Sequence, residues 1–159
     1  MKKQLKLTLL SCLLSIPAIT QAGPKDDIYR KGWIDFNKNG KMDIYEDPSA
    51  PIEERVKDLL SQMNMDEKTC QMATLYGSGR VLADALPTEK WKSEIWKDGI
   101  GNIDEEHNGL GKFGSEYAFP YAKHVKAIHD IQRWFVEETR LGIPVDFTNE
   151  GIRGVCHEK

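Results

Sequence analysis

Twelve consecutive residues, Asp35-Phe36-Asn37-Lys38-Asn39-Gly40-Lys41-Met42-Asp43-Ile44-Tyr45-Glu46, carry side-chain oxygens at a spacing that suits a hard cation. Calcium takes six to eight oxygen ligands, and the EF-hand loop supplies them from positions 1, 3, 5, 7, 9 and 12, with glycine at 6 for the sharp turn. Asp35, Asn37 and Asn39 hold positions 1, 3 and 5, and Gly40 makes the turn. Lys41 offers its carbonyl at 7, Asp43 stands at 9, and Glu46 can bind through both oxygens at 12. The pattern predicts calcium binding; the plainer alternative is a polar Asn-Gly turn. One loop without two flanking amphipathic helices is no sensor, so the expected role is to staple an N-terminal extension. A second acidic run, Asp104-Glu105-Glu106 beside His107, is expected to be a solvated loop. His124 and His129, five apart on one helix, are poorly placed to share a metal.

The elements that must position these groups are mostly helical. Pro51 opens a helix whose Val56, Leu59, Leu60 and Met63 recur at helical spacing and should face a core. Asn64 and Glu67 form a capping-box pattern for a second helix, with Cys70, Met72, Ala73 and Leu75 apolar before Gly77. Gly77 to Gly114 holds seven glycines and little periodicity beyond a short amphipathic stretch at Trp91, Ile95 and Trp96. A long helix is expected from Tyr121 to Arg140, with Val125, Ile128, Ile131, Trp134, Phe135 and Val136 inward and Gly142 as its left-handed cap. Ile143 to Phe147 then reads as the first convincing strand. One strand cannot make a sheet, so the sequence looks like the beginning of something larger.

Composition is ordinary for a globular chain: 40% of the 159 residues are hydrophobic and 30% charged, so a core is feasible but a large enzyme is not. Lys2, Lys3 and Lys6 precede an apolar run from Leu7 to Ile16 that is too short to span a bilayer, and Thr20-Gln21-Ala22 ends in small residues. Residues 1–22 therefore read as a signal peptide, which implies a secreted or periplasmic product. A lipoprotein anchored at Cys12 is the alternative. The rest carries 19 basic and 25 acidic residues, a balance with no electrostatic footprint for nucleic acid. Cys70 and Cys156 allow at most one disulfide and match no zinc spacing, so a pair of free thiols is the simpler expectation.

Two segments resemble glycoside hydrolase family 3. Pro51-Ile52-Glu53-Glu54-Arg55-Val56-Lys57-Asp58-Leu59-Leu60-Ser61-Gln62-Met63-Asn64-Met65-Asp66-Glu67-Lys68, followed by Cys70-Gln71-Met72, is similar to that family's opening helices. Gly142-Ile143-Pro144-Val145 to Gly154 resembles the strand leading to its first sugar-binding segment, with Glu150-Gly151-Ile152-Arg153-Gly154 in place of the commoner aspartate and histidine. The resemblance implies an α/β fold: the first part of a TIM-type (β/α)8 barrel, here mostly helical with one terminal strand, preceded by an EF-hand-like calcium loop. On that division residues 23–50 form the extension and 51–159 an incomplete barrel domain. It implies a β-glucosidase-type enzyme acting with retention on an oligosaccharide or β-glucoside. Glu150 would bind sugar hydroxyls, with Arg153 buttressing it. The nucleophile and the acid/base would lie outside this chain, and no local acid stands in for them. The competing function is a calcium-dependent, non-enzymatic interaction module of the dockerin kind, which needs two loops where one is found.

Overall fold

A computed structural model describes residues 28–77, 79, 81–107 and 114–149. The proposed signal peptide, Cys12, Cys156, Glu150 and Arg153 lie outside those residues. A two-residue hairpin opens the described chain: β1 (Tyr29–Arg30) pairs antiparallel with β2 (Trp33–Ile34). The acidic turn follows and ends in a 3-10 turn at Ile44–Glu46. Then come α1 (Ile52–Gln62) and α2 (Met65–Gln71). The capping box forms as expected: Asn64 accepts from the Glu67 backbone N–H, while the Glu67 side chain accepts from the Asn64 N–H. α2 stops earlier than its apolar run, because Thr74 to Tyr76 leaves the helix to become a strand.

That strand, β3 (Thr74–Tyr76), pairs parallel with β4 (Asn102–Asp104), which pairs parallel with β5 (Asp146–Thr148). Residues Leu75, Ile103 and Phe147 stand side by side across the sheet. Between β4 and β5 lie α3 (Gly114–Ala118) and the long α4 (Tyr121–Glu138). The strand at 146–148 is thus the third member of a parallel sheet and not a solitary one. β4 was hidden because Asn102, Ile103 and Asp104 offer a single apolar residue between polar neighbours, a pattern too short to stand out.

The barrel expectation is overturned. A (β/α)8 barrel follows each strand with an α-helix; here β3 reaches β4 through loops and two 3-10 turns, Glu89–Ser93 and Ile95–Asp98. The described architecture is two small sheets, one antiparallel pair and one parallel triple, with four helices. The EF-hand expectation fails with it. The acidic turn is entered from a β-hairpin and left through a 3-10 turn, so the helix-loop-helix frame is absent.

Apolar burial centres on the parallel sheet. Leu82, Trp91, Ile100, Ile103, Ile131, Trp134, Phe135 and Val145 form one cluster, with Leu75 and Phe147 packed against it. Trp91 meets Trp134 edge-on with ring centres 5.4 Å apart, and Trp134 meets Phe135 in the same way at 5.3 Å. The buried face of α4 comprises Ala127, Ile131, Trp134, Phe135 and Val136, whereas Val125 points outward. Gln132 ties helix to sheet by donating to the Val145 carbonyl and accepting its N–H, at 2.7 and 2.8 Å. Gly101 lets α2 touch the sheet: an added Cβ would stand 2.2 Å from the Gln71 carbonyl oxygen, and the Gly101 N–H donates to the Cys70 carbonyl. α1 meets its expectation only in part: Met63, just past its end, is buried and Leu59 half-buried, while Val56 and Leu60 are exposed, as is Ile52.

Candidate functional site

Two polar clusters have the burial and convergence that chemistry needs. In the first, all six residues assigned to calcium come together in the turn. Asp35 accepts from the Asn39 N–H at 3.0 Å and the Gly40 N–H at 2.9 Å, and Gly40 adopts the positive φ of +79° that the turn requires. Asn37 Oδ1 accepts from the Asn39 N–H, and Asn39 Oδ1 from the Lys41 N–H. Glu46 closes the ring by accepting from the Asn37 and Asp43 N–H groups at 3.2 and 2.9 Å. Asn37 and Asn39 both aim their amides at Asp43 Oδ2. Asp35 and Glu46 are each 2% exposed, so these carboxylates replace water with backbone donors.

The turn is seated on the body of the molecule. Lys38 Nζ donates to the carbonyls of Phe36, Val136 and Thr139, the last two at the C-terminal end of α4, where the helix dipole favours a cation. Partial desolvation lowers the Lys38 pKa, against the raising pull of Glu138, Asp35 and Glu46. Gly142, at φ +58°, lies beneath the turn: a Cβ there would meet the Phe36 and Val136 carbonyl oxygens at 2.7 and 2.9 Å. Tyr45 points its hydroxyl at the Leu141 carbonyl, and burial pushes its phenol pKa up, with Glu46 adding to the effect. Arg140 forks onto both oxygens of Glu67 and also reaches the Gln62 carbonyl. Burial alone would raise the Glu67 pKa, but the hydrogen bonds from Arg140 and the Asn64 N–H outweigh it and hold the carboxyl below its usual value.

The second cluster stands at the carboxyl ends of the parallel strands, where open α/β sheets place their ligands. It corrects the solvated-loop expectation for the run after β4. Glu105, Glu106 and His107 are 5%, 4% and 4% exposed. Tyr76, at the end of β3, donates its hydroxyl to Glu105. The Glu105 N–H donates to the Thr148 carbonyl at the end of β5, so the segment continues the ladder by one bond. Thr148 donates to Asp104 at 2.7 Å. His107 Nε2 lies 2.9 Å from Glu106 Oε1 but lacks hydrogen-bond alignment, and its ring packs against Tyr117. Glu105 and His107 adopt φ of +51° and +53°, a left-handed conformation that costs non-glycine residues energy and concentrates at functional sites.

A cavity of about 310 Å³ opens beside this cluster, lined by Glu106, His124, Val125, Ile128, Phe147, Thr148 and Asn149. Tyr76, Glu105, Glu106, His107 and Thr148 are the functional candidates that sequence reasoning missed. The available signal was the charged run directly after an Asn-Ile-Asp triplet, legible only once that triplet is known to be a strand. Glu150 follows the described end of β5 by two residues, but neither it nor Arg153 is among the described residues.

The comparisons with known proteins bear on what such a cluster handles. No family model matches the chain. A protein from Formosa agariphila named "Putative beta-xylosidase" is 32% identical over 114 residues, which cover 70% of this chain and 14% of that protein. The chain thus spans about one seventh of the length of the curated relative it matches. The likeness points to glycoside hydrolases, and no finer class follows from it. No helix among the described residues is long and apolar enough to cross a membrane.

Proposed function

We propose that this chain is the N-terminal part of a secreted or periplasmic glycoside hydrolase that removes terminal β-linked sugars with retention, in the manner of family 3 enzymes. The observation that carries this reading is the 32% identity to a protein named as a beta-xylosidase. The buried carboxylates at the carboxyl edge of the parallel sheet agree with it, since carboxylates that accept from sugar hydroxyls need a site largely shielded from water. Glu150 would accept hydrogen bonds from sugar hydroxyls, with Arg153 holding its carboxylate in place. Retention needs a nucleophile and an acid/base ~5 to 5.5 Å apart, and on this reading both are supplied from outside the 159 residues.

The acidic turn is proposed to hold one structural calcium ion. Asp35, Asp43 and Glu46 would contribute carboxylates, Asn37 and Asn39 amide oxygens, and Lys41 its carbonyl. Among the described residues no group of three His, Cys, Asp or Glu side chains is placed to hold a metal ion, so the carboxylates would have to move together on binding. The ion would brace the turn against α4 and take no part in bond cleavage.

Two measurements test these statements. Sequencing the coding region onward from Lys159 should reveal a continuing frame, and its product should hydrolyse nitrophenyl β-xyloside or β-glucoside while the 159-residue chain does not. A product with no glycosidase activity would sink the enzymatic reading; turnover by the 159 residues alone would sink the placement of the catalysts. For calcium, titration should release heat and chelation should lower the melting temperature, and both effects should vanish in Asp35→Asn/Glu46→Gln. Neither effect in the unaltered protein would refute the metal.

A further inference from the structure

Among the described residues the apolar face of α1 is only partly covered. The helix has 11 residues, and one of that length is marginal in water unless tertiary packing covers a side of it. Yet no residue of α1 itself is buried, and Ile52, Val56 and Leu60 stand exposed at i, i+4 and i+8. Aliphatic side chains in one row make a patch, and a patch marks an interaction surface where scattered apolar residues do not. Beside this row opens a cavity of about 270 Å³. α1 gives it Ile52, Val56 and Leu59, the acidic turn gives it the stacked rings of Phe36 and Tyr45, and residues 141–144 complete the apolar lining. Arg55 brings a positive charge to the same groove.

We propose that this groove seats an amphipathic helix of the polypeptide that follows Lys159, with apolar side chains in the cavity and a carboxylate on Arg55. The proposal rests on the glycoside hydrolase reading, under which a long continuation follows Lys159, and it goes beyond that reading by naming where the continuation docks.

Spacing, charge and size select this occupant. Residues four apart on a helix form ridges between which the ridges of a second helix lie. From Ile52 to Leu60 the row runs roughly 12 Å, room for about two turns of an incoming helix. Half-buried Arg55 uses its Nε to donate to the Tyr45 carbonyl at 3.0 Å, and no acceptor among the described residues meets its Nη groups. Those two donors form a fork that fits a carboxylate. Ten described residues line the cavity, whereas separate molecules that associate stably bring roughly 20 to 30 each. A groove this small is a poor seat for a second copy. It suffices for a tethered segment, which tethering presents at an effective concentration of about a millimolar. The relative from Formosa agariphila has length to supply one, since the match covers 14% of it.

The test replaces Val56 by photoreactive benzoyl-phenylalanine in the extended product and maps the peptide captured on irradiation. The capture should occur within one chain and join α1 to a peptide from beyond Lys159 that carries apolar residues at helical spacing and an acidic residue. The same group at Glu54, two residues after Ile52 and so on the opposite side of α1, should capture no such peptide. Hydrogen exchange gives a second readout: the α1 amides should exchange on the order of ten times more slowly in the extended product than in the 159-residue chain. Val56→Asp should remove that difference yet leave the melting temperature of the 159-residue chain unchanged, because Val56 is 52% exposed there. Capture within residues 1–159, capture between two copies at the mass of a dimer, or equal exchange in the two proteins would overturn the proposal, as would a stop codon directly after Lys159. Glycosidase activity without capture would remove the docking helix alone, whereas capture in a product without activity would remove the enzymatic reading and leave the docking in place.

Discussion

The acidic turn and the edge of the parallel sheet both bury two carboxylates, but they satisfy them by different means. Asp35 and Glu46 accept mainly from backbone N–H groups of their own turn, while Glu105 and Glu106 face the titratable side chains of Tyr76 and His107. A carboxylate held by main-chain donors is fixed once the chain folds, and its role is to define shape. One that accepts from a phenol, as Glu105 does, or lies against an imidazole, as Glu106 does, keeps side-chain neighbours that can move. The backbone follows the same division: the turn takes its left-handed conformation at Gly40 and Lys38, while the sheet edge forces it on Glu105 and His107.

Substitutions can break this contrast. The largest effect is expected at the seat of the turn. Gly142→Ala places a methyl group against two carbonyl oxygens in a left-handed conformation, at ~2 to 3 kcal/mol, as measured by urea denaturation. A loss of a few tenths would mean that the turn is only loosely seated. Asp35→Ala strips the Asn39 and Gly40 N–H groups of their acceptor and should cost about 2 kcal/mol in the same assay. Tyr76→Phe at the sheet edge should cost only ~1 kcal/mol, because it removes one side-chain donor, whereas Asp35→Ala leaves two backbone N–H groups without their acceptor. A loss as large as that of Asp35→Ala would erase the distinction between a structural cluster and a poised one.

Glu67 mixes the two modes, with a backbone N–H on one side and Arg140 on the other. Its folded pKa lies below the usual 4.5, so its contribution is complete above that pH and fades as pH falls toward the lower folded value. Acid titration of the melting temperature should therefore show a loss below pH 4.5 that Glu67→Gln flattens. This is the smallest of the expected effects, and an unchanged acid profile in Glu67→Gln would mean the fork contributes nothing that depends on charge.

Much of this was legible in the sequence where signals are local. The Asn64 to Glu67 capping box lies within four residues, and the oxygen-bearing side chains of the acidic turn within twelve, so spacing alone places them near one another. α4 was legible from its periodicity, although Val125 falls off the buried face. The parallel sheet was not, because its strands are three residues long and their partners lie 28 and 44 positions away, as in Thr74 to Asn102 and Asn102 to Asp146. The burial of Glu105 to His107 was hidden for the same reason: charge suggests solvent unless tertiary neighbours are known. α1 shows the converse limit. Its pattern correctly announces an apolar face, yet among the described residues Ile52, Val56 and Leu60 are only partly covered, the first two lining an open cavity with Tyr45 and Leu141.

Lys38 sets the timetable of assembly. Its ammonium plugs the negative end of α4 through Val136 and Thr139, 98 and 101 residues further along. A ribosome makes the acidic turn early and the carbonyls that receive its lysine roughly a hundred peptide bonds later. During that interval the turn can lean only on α1, where Asp58 accepts from the Tyr45 N–H, Arg55 donates to the Tyr45 carbonyl and Asn37 donates to Gln62. Its seat on α4 is therefore the long-range closure, which the chain can make only after the rest of the described body has been synthesised.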